Sequence, residues 1–264
     1  MEPSIVFLMY HELELSGRSL CHNEPGYVRY VLGCDDFKLQ MGHLKQMGWR
    51  GLSVSEALTF STNAGVAITF DDGCETDLIS AAPILRESNF GATFYITVGF
   101  LGKRGYLTSL QLRELSDLGF EIGCHSMTHP YLPDLSRERL HKEIAAPKAM
   151  LEQITGKPVK HFSCPGGRWN PTVSNVAATA GYESVATSRN RANSLQTSRF
   201  SLGRVAIMRN TDIDGFWENC RGHGLWRLRL KDLARSSGKR LMGNSTYDKV
   251  RTLLLKKEES RTNR

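Results

Sequence analysis

The sequence predicts an α/β fold in which repeated βα units wrap into one barrel-like domain, and three observations carry that prediction. Short apolar runs alternate with amphipathic stretches along the chain. The first run, Ser4–Tyr10, is apolar on both faces, as a strand covered on both sides must be. Several runs end in Asp, His or Pro-Gly, and in a parallel barrel functional side chains emerge where strands end.

Taken in order, a polar, Gly-rich loop follows the first strand. Residues 36–47 then place Phe37, Met41, Leu44 and Met47 at helical spacing, with Gly48 as the stop. Ser53 with Glu56 three residues later is a capping box that opens a short helix. Residues 66–70 form the second strand and run into Asp71-Asp72-Gly73; a helix over 77–88 follows, with Pro83 as a potential kink. Residues 92–98 read as the third strand. Thr108 with Gln111 opens a helix carrying Leu112, Leu115 and Leu118 that stops at Gly119. Residues 120–124 are a fourth strand ending at His125. Ser136 caps a long helix closed by Gly156, with Pro147 as its misfit, and 159–164 is the fifth strand. Asn170-Pro171 is a cap followed by proline at the first helical position, and 184–187 and 204–208 supply two more strands.

The chain has 264 residues, 40% hydrophobic and 23% charged, which excludes disordered, collagen-like and fibrous classes. That length suits one barrel-sized domain, expected over 1–210, joined near 209–214 to a basic helical extension over 211–264. The net charge of +7 is confined to that extension. Residues 1–217 hold 21 Lys+Arg against 22 Asp+Glu, and residues 218–264 hold 13 against 5. Two readings of the extension stand side by side. Its helical spacing could lay Trp217 and Trp226 over the barrel, or its charge could dock the chain on a membrane surface or on polysaccharide synthesis machinery. No nucleic-acid motif is present, so no nucleic-acid partner is expected.

The six cysteines form no CxxC pair and are read as reduced thiols rather than a zinc ribbon or disulfide framework. The apolar run at 5–10 is too short to span a bilayer and lacks a basic start and a cleavage site. A cytoplasmic location, peripheral at the inner membrane, is the expectation.

The chemistry-bearing residues converge on one rim. Asp71 and Asp72 end one strand, His125 ends another with His129 four residues on, Cys164-Pro165-Gly166-Gly167 ends a third, and His11 ends the first. Taken singly, Asp-Asp-Gly is a turn, paired histidines are surface or core residues, and Pro-Gly-Gly is loop punctuation. Their joint arrival at strand ends describes a metal-assisted hydrolytic site, in which two His and one Asp leave open coordination positions. Ser126 after His125 excludes the zincin pattern, and Pro130 disfavours a helix at His129, so a turn must fold the two imidazoles together.

The segments Thr69-Phe70-Asp71-Asp72-Gly73, His125-Ser126-Met127-Thr128-His129 and Ser163-Cys164-Pro165-Gly166-Gly167 resemble the first three motifs of the polysaccharide deacetylase family, the carbohydrate esterases with a chitooligosaccharide-deacetylase homology domain. The opening Leu8-Met9-Tyr10-His11 is similar to the start of the bacterial exopolysaccharide-biosynthesis branch. The resemblance implies a distorted (β/α) barrel of about seven strands. It also implies a metal-dependent N-deacetylase acting on N-acetylhexosamine units of an oligo- or polysaccharide. Asp71 would be the base, and Asp72, His125 and His129 would be ligands of a divalent ion, Zn²⁺ by expectation. Pro165, Gly166, Gly167 and Arg168 would contact substrate or oxyanion, the Gly166 backbone N–H serving the oxyanion.

This chain departs from the pattern at three points. Ser163 stands where the family has an Arg paired with the base, and Arg168 is the candidate replacement. The fourth motif has no Asp near 187–191. The only late histidine, His223, follows no strand, so the general-acid role is assigned to His11. A non-catalytic carbohydrate-binding or scaffold subunit, and a metal hydrolase of another ester or amide, are the alternatives.

Overall fold

Residues 4–59, 64–226 and 228 are described by the computed structural model. The strands, in chain order, begin with β1 (Ser4–Tyr10), β2 (Leu13–Glu14), β3 (Leu32–Gly33) and β4 (Arg50–Leu52). Then come β5 (Gly65–Asp72), β6 (Thr93–Ile96), β7 (Glu121–Cys124) and β8 (His161–Ser163). The last are β9 (Ser184–Ala186), β10 (Asn193–Ser194) and β11 (Val205–Ala206). The main sheet runs β10-β1-β5-β6-β7-β8-β9, with β11 also on β1 and β4 also on β5. Every neighbour pair is parallel except β1 with β10, so this is the curled mixed sheet of a distorted (β/α) half-barrel. All seven expected strands are present. The 2- to 3-residue strands β2, β3, β4 and β10 were too short to show a period in sequence.

All eight residues of β5 are buried, because β1 covers one edge, β4 and β6 the other, and helices cover the outer face. That sheet positions the site. In a parallel arrangement the C-terminal ends of β1, β5, β7 and β8 open on the same side, and Tyr10, Asp72, Cys124 and Ser163 are their last residues.

The helices in order are α1 (Pro25–Val28), α2 (Cys34–Gln46), α3 (Val54–Ala57), α4 (Ala82–Ser88), α5 (Ser109–Asp117), α6 (Arg137–Thr155), α7 (Pro171–Thr179) and α8 (Ile213–Cys220). Both capping boxes form: Ser53 with Glu56 opens α3, and Thr108 with Gln111 opens α5. Asn170 caps α7 ahead of Pro171. The expected helix over 77–88 splits into a π-helical turn, Asp77–Ala81, followed by α4. Pro83 has no N–H to close the α-helical bond back to residue 79, so the turn widens there.

One segment fastens the two ends of the sheet. Leu202 pairs with Ala186 of β9, and three residues later Val205 pairs with Leu8 of β1. Beyond it, α8 inserts Phe216 and Cys220 into the core, and Trp217 meets Trp49 edge-on at 4.9 Å. Trp217 thus covers the barrel as one reading of the extension expected, whereas Trp226 stands 60% exposed. The basic residues beyond 228 lie outside the described residues. Among the described residues no helix is long and apolar enough to cross a membrane.

Glu121, at the start of β7, accepts from the backbone N–H groups of Val54 and Ser55 and from Thr93 Oγ1, and lies 3.4 Å from His161 Nε2. Burial alone would raise its pKa, but His161 and these donors outweigh burial and pull it down to about 2. A carboxyl depressed in the fold contributes stability that is complete above its unfolded value of 4.5 and is lost as pH falls from there toward 2. Glu121→Gln is therefore expected to flatten the acid limb of stability between pH 4.5 and 2, read as urea midpoints across that range. Equal acid losses in variant and parent would contradict this assignment.

Candidate active site

Successive strand residues point to opposite faces, yet Asp71 and Asp72 both meet the same imidazole. His125 Nε2 lies 3.8 Å from Asp71 Oδ2 and 3.6 Å from Asp72 Oδ1. The cause is the backbone: Asp72 has φ +83°, which breaks the alternation and turns its carboxylate into the barrel mouth. Positive φ is uncommon outside glycine. Among the described residues four non-glycines adopt it, and three of them, Asp72, Ser126 and His129, belong to this cluster. Strain concentrated this way marks a site that the surrounding fold holds in place.

His125 follows β7 and is buried, and its Nδ1 lies 2.9 Å from the carbonyl of Ser163. A carbonyl can only accept, so Nδ1 carries the proton and the Nε2 lone pair faces the two aspartates. Burial lowers the pKa to about 4 against the pull of Asp71, which keeps this ring neutral. The chain then turns at Ser126, whose Oγ accepts from the His129 N–H at 2.9 Å, and His129 Nε2 comes to 3.5 Å from Asp72 Oδ1. Glu143 of α6 holds this turn from behind. One carboxylate oxygen accepts from the Met127 and Thr128 N–H groups, and the other from Thr128 Oγ1 at 2.7 Å. On the other side the Gly99 N–H donates to the Met127 carbonyl at 2.8 Å, and a Cβ at Gly99 would lie 2.6 Å from that oxygen. Only glycine permits so close an approach.

Asp72 Oδ1 is buried and has no hydrogen-bond partner, while the Nε2 atoms of His125 and His129 face it. One atom from each of these residues lies within 4.8 Å of the other two, so one carboxylate and two imidazoles can converge on one divalent ion. An orphaned buried carboxylate oxygen between two imidazoles is the feature such an ion would satisfy, and the residues fit it. The Nδ1 bond to Ser163 is the usual outer support of a ligating histidine.

Asp71 has a different partner. Arg204, fully buried just ahead of β11, clamps it with Nη1 to Oδ1 and Nη2 to Oδ2, both at 2.7 Å. The remaining donors reach Thr187 O, Thr69 Oγ1 and Ser163 Oγ, so all five guanidinium N–H groups are placed. Burial would raise the Asp71 pKa, but Arg204 and then His125 overcome it and hold the carboxyl well below the usual carboxylate range.

This arrangement corrects the reading of Arg168. The guanidinium on Asp71 comes from Arg204, while Arg168 lies with its guanidinium carbon 3.8 Å from the centre of the Tyr131 ring. Ser163, where the family motif has Arg, lies 3.4 Å from both Asp71 oxygens and accepts from Arg204. A short side chain there leaves room for the guanidinium to enter from the opposite edge of the sheet. Sequence reasoning missed Arg204. The signal was present, because an arginine opening an otherwise apolar strand needs a buried anion, and Asp71 needed a cation.

The third motif forms a tight turn, Pro165–Gly167, directly after β8. Gly167 has φ +65° and packs so closely on Ser188 that a Cβ would lie 2.2 Å from its Oγ, whereas Gly166 is exposed. His11 follows β1 with its imidazole 5.0 Å from the Tyr30 ring and its Nδ1 buried without a hydrogen-bond partner. Burial lowers its pKa, while Asp72 and Asp71 pull the other way. His223 is about half exposed and sits 3.3 Å from Glu218.

Fold and site together define an α/β half-barrel class with an Asp-His-His set of metal-ligating type beside an arginine-clamped aspartate. Residues 61–185, a little under half of the chain, match the family model of polysaccharide deacetylase. YxkH of Bacillus subtilis is 27% identical over 206 residues, covering 76% of this chain and 70% of that protein. The peptidoglycan-N-acetylglucosamine deacetylase of Bacillus cereus is 38% identical over 122 residues, covering 46% of this chain and 54% of that protein. The chain thus spans about half the length of the latter relative. Among solved structures, the Streptococcus pyogenes deacetylase PplD in complex with acetate superposes with a TM-score of 0.74 at 24% identity, covering 83% of this chain and 99% of that one, a likeness of fold.

Proposed function

We propose that this chain is a divalent-metal-dependent N-deacetylase that hydrolyses the acetamide of N-acetylhexosamine units in an oligo- or polysaccharide, leaving acetate and a free sugar amine. The single observation that carries this reading is the pairing of two unlike aspartates at one strand end. Asp72 offers an unsatisfied oxygen to two imidazoles, and Asp71 is held ionised beside them by Arg204. The resemblance of a domain relative that deacetylates N-acetylglucosamine in peptidoglycan supports the substrate class.

Asp72, His125 and His129 would hold the ion, which when bound polarises the acetamide carbonyl and makes water more acidic. Asp71 takes the proton of the attacking water on its carboxylate, and Arg204 keeps that carboxylate in place and ionised until it does. The exposed Gly166 offers its backbone N–H to the oxyanion, and Pro165, Gly167 and Arg168 form the rim that receives the sugar. His11 delivers a proton to the departing amine. Its lowered pKa makes the protonated ring a strong acid toward a basic leaving group, at the expense of how much of that form exists. The surplus of basic residues over 218–264 supports work at an anionic membrane surface, where lipid-linked saccharide precursors would be met.

The test is acetate release from N-acetylglucosamine oligomers by metal-stripped protein with Zn²⁺ or Co²⁺ added back, beside Asp72→Ala. Metal-dependent acetate that vanishes in Asp72→Ala is the expected result. Bound metal with no acetate from any N-acetylated saccharide would overturn the activity and favour a binding subunit.

A further inference from the structure

Beside the catalytic mouth, where β1 and β5 end, lies a second cluster that deacetylation does not use. Glu12 follows His11, Cys74 lies two residues beyond Asp72, and Cys21 comes from the loop after β2. The Cys21 and Cys74 sulfurs are 3.8 Å apart, and both lie within 4.8 Å of a Glu12 carboxylate oxygen. The surroundings are built to hold them. The Cys21 N–H donates to both Glu12 oxygens, Tyr27 Oη donates to Glu12 Oε2 at 2.9 Å, and the same hydroxyl lies 3.6 Å from Cys74 Sγ. Arg18 Nη1 is 3.8 Å from Glu12, and Cys21 Sγ is 3.2 Å from the Gly105 carbonyl. On the next turn of chain, Asp77 is 1% exposed with both carboxylate oxygens lacking a hydrogen-bond partner, while its N–H donates to the Cys74 carbonyl. Glu12, Cys74 and Asp77 are buried and Cys21 half-buried, and a cation among them would offset the cost of their charges.

The sulfur separation discriminates between chemistries. Two thiolates on one tetrahedral ion, each at about 2.3 Å, sit about 3.8 Å apart. A disulfide requires about 2.05 Å. Two sulfurs and one carboxylate oxygen also differ in kind from the two imidazoles and carboxylate at Asp72, because thiolates select zinc-class ions over magnesium or calcium.

We propose that Glu12, Cys21 and Cys74 form a second metal site, thiolate-rich and specific for a zinc-class divalent ion, that clamps the segment after β1 to the turn after β5. Binding deprotonates both thiols and releases their protons to solvent. The clamp joins the two segments that carry His11 and Asp72, so it supports the mouth without touching substrate. It stands independently of the deacetylase reading.

The experiment titrates the full-length, metal-stripped and reduced protein with Co²⁺ and reads the near-ultraviolet thiolate-to-cobalt band. Two Co²⁺ per chain with a strong band are expected, and Asp72→Ala should bind one fewer and keep the band. Cys21→Ser should also bind one fewer but lose the band, with its fold checked by circular dichroism. The band in the parent protein is decisive even where a variant fails to fold. Absence of the band at saturating Co²⁺ would overturn the proposal. So would unreduced protein that has two fewer reactive thiols, restored by reductant, and no band on refilling, which would assign a disulfide instead.

Discussion

Replacing Arg204 by leucine is expected to cost about 3–5 kcal/mol of folding stability, the largest effect of any single substitution considered for this chain. Its guanidinium is fully buried, and all five N–H groups are engaged, two of them on Asp71. Removing it strands an ionised carboxylate in the core together with the Thr187 carbonyl. Arg204→Lys should recover only part of the loss, because an ammonium cannot reproduce the two parallel bonds to Asp71. Denaturant unfolding measures both, and the Arg204→Leu/Asp71→Asn pair should lose less than the sum of the singles, since the two side chains act as a unit. A loss below about 1 kcal/mol for Arg204→Leu, the range of a surface ion pair, would mean that the charge is not buried in solution.

Asp71→Asn is expected to lower turnover by about 100- to 10,000-fold, the range a positioned general base supplies. Metal content should not change, because Asp72, His125 and His129 form the ligand set without it. Asparagine keeps the shape and can still accept one bond from Arg204, but it leaves the buried guanidinium without its counter-charge, so stability should fall as well and the loss in kcat is read on protein shown to be folded. Steady-state kinetics with metal analysis on the same preparation separates these effects. Turnover within tenfold of the parent would move the base role to another group.

Much of this architecture was legible beforehand because it rests on patterns that one side chain imposes locally. The capping residues Ser53, Thr108 and Asn170 act within three residues of themselves, and each sits where it was expected. The apolar runs that became β1 and β5 needed only their own composition to be read. The aspartates and histidines of the mouth were legible for the same reason, as polar residues at the ends of apolar runs. What escaped depends on contacts between distant segments. Arg204 meets Asp71 across 133 positions of chain, and Cys21 meets Cys74 across 53, and no local period encodes either meeting. The turn of Asp72 to positive φ also left no trace, because a strand of this composition implies plain alternation.

The segment that joins Leu202 to β9 and Val205 to β1 has a bearing on the order of synthesis. Arg204 lies between those two pairings, so the stretch that fastens the sheet also carries the counter-charge of Asp71. During translation Asp71 emerges long before its partner, and a nascent chain halted ahead of residue 204 holds a carboxylate with no guanidinium and a sheet with an open seam. Completion of the barrel and arming of the site are therefore a single event near the end of the domain. A ribosome-bound fragment that ends before residue 204 has the Asp-His-His residues and Asp71, but neither the guanidinium that fixes the Asp71 carboxylate nor the strand that closes the sheet.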